Sequence, residues 1–206
     1  MPPPITQPRR RLEPPRYGMA NTLDNGFFSG ATPGQLLDLI VDETAGSLSL
    51  LADFALDELA GDDEIVEDRP GADEGVRIAF RYGFKTPRGA RMGFLQVPLD
   101  GALVLAGALL MLPTNEISEE RSKDAPDEGH KEAIMEAGHL LASAFDAAVR
   151  KRCEANAEVQ FFGCQGVGGG EAPWVASYAG EKLAVRRQNV SVAALDPFEV
   201  LIAVPI

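Results

Sequence analysis

Apolar positions between Lys131 and Arg150 recur at spacings of four and three: Ile134, Gly138, Leu141, Phe145 and Val149. That spacing lines up one face of an α-helix and marks it for burial. A second series, Glu132, Glu136, His139, Ser143, Asp146 and Arg150, runs at the same spacings and makes a continuous polar face. Glu136 and His139 are neighbours on that face. Ala137, Ala142, Ala144, Ala147 and Ala148 fill the flanks, where they raise helix propensity and allow close packing.

Elsewhere the pattern is shorter in range. Thr32-Pro33 opens a helix, with Thr as N-cap and Pro at the first helical position. Leu37, Val41, Leu48, Leu51 and Ala55 carry that helix to about Ala60, with Gly61 as its stop. An acidic, turn-rich segment follows, with Ile65-Val66 as a short strand and a turn at Pro70-Gly71. Val76 to Phe84 alternates apolar and polar, which predicts a strand with one buried face. Arg91 to Val97 follows the turn Pro87-Arg-Gly89 and pairs back as an antiparallel hairpin. Ala102 to Leu112 is almost wholly apolar and reads as a core helix closed by Pro113. The charged stretch 113–129 reads as a mobile or partly ordered link. Strands are expected at Ala157 to Cys164, Leu183 to Leu195 and Phe198 to Val204.

Helices stand apart from hairpin-linked strands, which predicts an α+β fold with a mostly antiparallel sheet. Glu43-Thr-Ala-Gly46 in the first long helix corresponds to Glu136-Ala-Gly-His139 in the second. The expectation is one domain over 31–206, built from two pseudo-repeats, about 32–112 and 130–206, joined by the acidic link.

Charge narrows the partners. A net charge of −12 leaves no basic groove to neutralise phosphates, so nucleic acid and anionic membranes are not expected partners. No apolar run reaches the roughly 20 residues a membrane-spanning helix needs. The N-terminal MPPPITQPRRRLEPPRYG has basic residues but no apolar segment behind them, so it reads as a disordered Pro/Arg-rich arm over residues 1–30 and not as a secretory signal. Met19 is an alternative start. Cys153 and Cys164 lack metal-ligand spacing, and a cytoplasmic protein with two buried free thiols is expected.

Several tempting motifs fail on chemistry. The loop Gly163 to Gly170 lacks the Lys-Ser/Thr of a P-loop and the βαβ context of a dinucleotide site, so it reads as a turn. Trp174 reads as a packing residue. His130 and His139 are not spaced to share one helix face, so no metal site is expected. The acidic run 57–74 lacks the Gly and Glu positions of an EF-type loop.

A strand ending Val97-Pro98, then "LDGALVLAGALLMLP", an acidic link, and "KEAIMEAGHLLASAFDAAV" together resemble the CheC/CheX/FliY family of chemotaxis phosphatases. The same fold occurs in the middle domain of the flagellar switch protein FliM. The family motif is an acidic or Ser residue, three spacers, Glu, two spacers and Asn, with Pro downstream. Glu132 and Glu136 fall on the two acidic positions. His139 falls on the Asn, and the Pro expected near Phe161 and Phe162 is absent. In the first half Glu43 matches the Glu, Leu39 and Gly46 replace the flanking positions, and Pro70 sits about where the Pro should be.

The resemblance implies docking on the receiver domain of a response regulator such as CheY and hydrolysis of its aspartyl phosphate. The Glu would pair with a receiver lysine, and the Asn would orient the attacking water. The protein needs no cofactor of its own on this view, since the receiver supplies Mg²⁺. Glu136 and His139 are thus the expected catalytic pair, with Glu132, Ser143 and Glu43 as partner-binding residues. A neutral imidazole accepts a hydrogen bond from water through one nitrogen, so it can orient a nucleophile in place of an amide. The alternatives are a non-catalytic module for a receiver or flagellar-switch partner, and an ordinary solvated helix face.

Overall fold

The structure, a computed structural model, describes residues 27–50, 54–58, 63–66, 75–152, 156–168 and 182–206. The basic arm (but for its last four positions), Met19, Pro70, Cys153 and Trp174 lie outside the described residues.

Thr32 caps α1 (Pro33–Leu48) as the sequence predicts. Its hydroxyl accepts from the Gln35 N–H at 3.2 Å, and the Gln35 side chain accepts in return from the Thr32 N–H. The helix stops well short of Ala60. Ser49 turns its hydroxyl back onto the Gly46 carbonyl at 2.9 Å, a local bond that competes with further winding. The expected second half of this helix contains instead β1 (Phe54–Glu58), paired antiparallel with β6 (Leu183–Val192). The residues after Leu48 fit both periods over so short a run, and strand pairing decides between them.

β2 (Glu64–Val66) also pairs with β6. β3 (Arg77–Thr86) and β4 (Gly89–Pro98) form the expected hairpin. α2 (Leu99–Leu109) is buried from Gly101 to Ala108, the core helix its composition predicts. The link 113–129 is more ordered than a mobile segment: it forms α3 (Thr114–Glu120), which packs Ile117 against Gly107 of α2. Arg121 then donates to the Asp100 carboxylate at 2.8 and 3.0 Å and to the Asp196 carbonyl at 2.6 Å. α4 (Glu128–Arg152), β5 (Glu158–Val167) and β7 (Phe198–Pro205) complete the chain.

All strand pairs are antiparallel, in the order β1-β6-β7-β4-β3-β5, with β2 beside β6. β5 is therefore an edge strand. The helices lie on one face. Phe80, Tyr82 and Phe84 of β3, Leu95 and Val97 of β4, and Val200 and Ile202 of β7 meet α1, α2 and α4 in the main core. The alternate positions Phe94, Leu183, Val185, Leu201 and Ala203 are buried on the opposite face. Among the described residues no helix is long and apolar enough to cross a membrane.

Candidate functional site

α4 is the longest helix among those described, and its two faces divide as its sequence predicts. Ile134, Gly138, Leu141, Phe145 and Val149 are buried, whereas Glu132, Glu136, His139 and Ser143 are exposed. Phe145 anchors the helix, with its ring centroid 4.8 Å from that of Tyr82 and 6.4 Å from that of Phe84. Full burial of a side chain this size contributes about 1.5–3 kcal/mol. Arg150, Lys151 and Arg152 in the last turn complement the negative end of the helix dipole.

The N-terminus of α4 is held by a charge cluster. Asp127 accepts from the backbone N–H of His130 at 3.0 Å and contacts its Nδ1 at 2.7 Å. The backbone bond first, and the ring second, hold the Asp127 carboxyl down at about 2. His130 is buried, and its Nε2 lies 3.2 Å from Glu120 Oε2 without completing a hydrogen bond. Donor atoms of Glu120, Asp127 and His130 lie within 4.8 Å of one another, a spacing that a metal ion can bridge. Lys123 already supplies positive charge there: it pairs with Glu120 and reaches Asp127 at 3.3 Å. The bond to Glu120 is the first cause that raises the Lys123 ammonium above its usual range. The cluster therefore works as a clamp joining α3 to α4.

Further along, Asp146 fastens α4 to the edge strand. Its Oδ1 accepts the Val159 N–H at 2.9 Å, and its Oδ2 accepts from Arg150 Nε at 2.6 Å. Between helix and strand lies an open groove of about 510 Å³. His139, Ser143, Asp146 and Arg150 line it from α4, and Glu158, Gln160 and Phe161 from β5.

The expected site residues differ in availability. Glu132 and Glu136 are exposed, and among the described residues no hydrogen bond or ion pair engages either. His139 makes no hydrogen bond to Glu136 through its ring. Its imidazole meets Phe161 instead, with centroids 5.0 Å apart and planes at 79°. Ser143 has turned its hydroxyl onto the His139 carbonyl at 3.1 Å. Glu43 is paired with the exposed Lys151 across the α1–α4 contact. Gly46 leaves its position bare, with nothing within 4 Å of where a Cβ would stand.

Phe161, Asp146 and Gln160 were not singled out from sequence as site residues. One signal pointed to the first: Gly138 in mid-helix is costly unless something approaches closely. Behind the groove, Cys164 is free and donates its S–H to Met135 Sδ at 3.5 Å. Partial burial pushes that thiol up, so it stays protonated. Burial, and then the neighbouring Cys164, push the Tyr82 phenol well up, so it stays neutral.

Neither a family model nor a curated protein matches the sequence. Solved structures do match in shape. FliY of Thermotoga maritima superposes with a TM-score of 0.63 at 12% identity, over 85% of this chain and 91% of that one. The middle domain of FliM from Vibrio alginolyticus gives 0.54 at 11%, over 82% and 93%. CheX of Desulfovibrio desulfuricans gives 0.51 at 15%, over 84% and 99%. The chain has the fold of these chemotaxis and flagellar-switch proteins, the CheC/CheX/FliY-like fold.

Proposed function

We propose that this protein is a CheC-like phosphatase of response regulators, acting in chemotaxis or a related two-component pathway. The observation that carries this reading is the pair Glu136 and His139. Both are exposed, one turn apart, on a long helix fixed at both ends, and neither is spent on an internal hydrogen bond. The exposed face of α4 docks on the phosphorylated receiver domain. Glu136 pairs with a receiver lysine. His139 accepts a hydrogen bond from a water and directs its oxygen at phosphorus. The bond from phosphorus to the receiver's aspartyl oxygen breaks as the new one forms, which releases inorganic phosphate and the free carboxylate. Such a reaction asks mainly for positioning and charge stabilisation. The receiver contributes the phospho-Asp and its Mg²⁺; this chain contributes orientation.

A non-catalytic module for a receiver or flagellar-switch partner is the second reading, and His139 in place of the motif's Asn favours it. Release of phosphate from a phosphorylated receiver of the same organism, with wild type, Glu136→Ala and His139→Ala, separates the two. Acceleration by wild type that falls in both variants supports the phosphatase. Binding of the receiver without acceleration supports the module.

A further inference from the structure

Gly138 lets the Phe161 ring of β5 lie directly against the backbone of α4. A Cβ at position 138 would overlap the Phe161 ring. That ring is held from the sheet side by Tyr82 and Phe80, at centroid distances of 5.8 and 6.2 Å. Its direction follows from strand alternation: Val159 and Phe161 lie opposite Phe84 and Tyr82 in regular register and face the same core. Beyond Phe161 the register with β3 shifts, so that Cys164 pairs with Phe80, and Gly163 takes φ +106°, a conformation that suits glycine. Phe161 turns toward the helix, whereas its neighbour Phe162 turns to the other face of the sheet and covers Gly83. The free side of the Phe161 ring is the side that meets His139.

An exposed histidine on a helix normally samples several rotamers, because nothing selects among them. His139 stands beside an aromatic wall that is itself fixed to the sheet. Perpendicular ring contacts are favoured by the charge distribution of the rings. We infer that Phe161 is a positioning residue, which holds the His139 imidazole in one orientation at the mouth of the groove. This rests on the reading of His139 as the group that directs water, and it adds the residue that fixes its aim. Leu at position 161 would fill part of the space beneath Gly138 but would lose the ring contact. Tyr would keep it.

The test has two arms. The chain has two histidines, and the other is buried, so the exposed imidazole is readily assigned by NMR. In the wild type the His139 ring protons should show a ring-current displacement and a single side-chain rotamer. Phe161→Leu should abolish both, and Phe161→Tyr should keep both. In the phosphate-release assay, Phe161→Leu should lower kcat about tenfold with KM little changed, as misaimed groups do. Phe161→Tyr should stay near wild type. A His139 ring that is already averaged among rotamers in the wild type would overturn the inference. So would equal loss of kcat in both variants. If the wild type releases no phosphate, the phosphatase reading fails, and the NMR arm alone decides whether Phe161 fixes His139.

Discussion

His139 and Phe161 stand 5.0 Å apart with their rings nearly perpendicular, so the exposed face of α4 is tied to the edge strand at the candidate reactive residue. These are also the places where the chain departs from the phosphatase motif it resembles: His for Asn, and Phe near the missing Pro. The contact joins the two departures.

Gly138→Ala should destabilise the fold. Alanine gains about 1 kcal/mol in helix propensity. Forcing a methyl group into the Phe161 ring costs about 1–3 kcal/mol. The second effect is the larger, so the expected net loss is up to about 2 kcal/mol, read as a lower urea midpoint. The shift should be largest in probes of the α4–β5 seam.

Asp146→Ala should open that same seam. It leaves the Val159 N–H without its acceptor in a largely buried position. An orphaned buried donor costs about 1–3 kcal/mol. Hydrogen exchange at Val159 should accelerate strongly, with smaller changes at Leu141 and Phe145.

Asp127 sets a pH dependence. Its folded-state value, about 2, lies below the ordinary 3.8, so the carboxylate stabilises the fold above the ordinary value. That contribution is lost as pH falls through the window between the two. Asn also caps helices well, so Asp127→Asn removes the charge and keeps the cap. The variant should melt below wild type near neutral pH, and the difference should shrink as the pH drops to about 2.

Glu136→Ala should weaken receiver binding about fivefold, or about 1 kcal/mol, as expected for one ion pair at the edge of an interface. The loss should diminish at high salt. Glu43→Ala should leave binding unchanged, because Glu43 is paired with Lys151 of the same chain at the α1–α4 contact. Isothermal titration with a receiver domain measures both.

The α4 face was legible because its period holds over five turns, from Glu132 to Arg150, and only a helix satisfies it. The hairpin β3–β4 was legible for the same reason, since its alternation is long and its turn is marked by Pro87 and Gly89. β1 was not. Leu48, Leu51 and Ala55 keep a helical spacing, and the competing strand is decided by pairing with β6, which is remote in sequence. The order in the link depends on Arg121 reaching Asp100 and Asp196, and on His130 sitting among Glu120, Lys123 and Asp127. A charged composition reads as solvated until those contacts are seen. The contacts of Glu43 with Lys151 and of Ser143 with the His139 carbonyl are likewise not marked by spacing. Glu136 and His139 kept their exposure, and the support from Phe161 is a non-local contact hinted at only by Gly138.

The central claim is that the Glu136–His139 face accelerates loss of an aspartyl phosphate. Its most direct test is single-turnover decay of a phosphorylated cognate receiver mixed with excess protein, with Mg²⁺ present. The account predicts faster decay with wild type, a loss of about 10–100-fold of that acceleration in His139→Ala, and retention of receiver binding by the variant. Decay that is the same with wild type, with His139→Ala and with no added protein would contradict it.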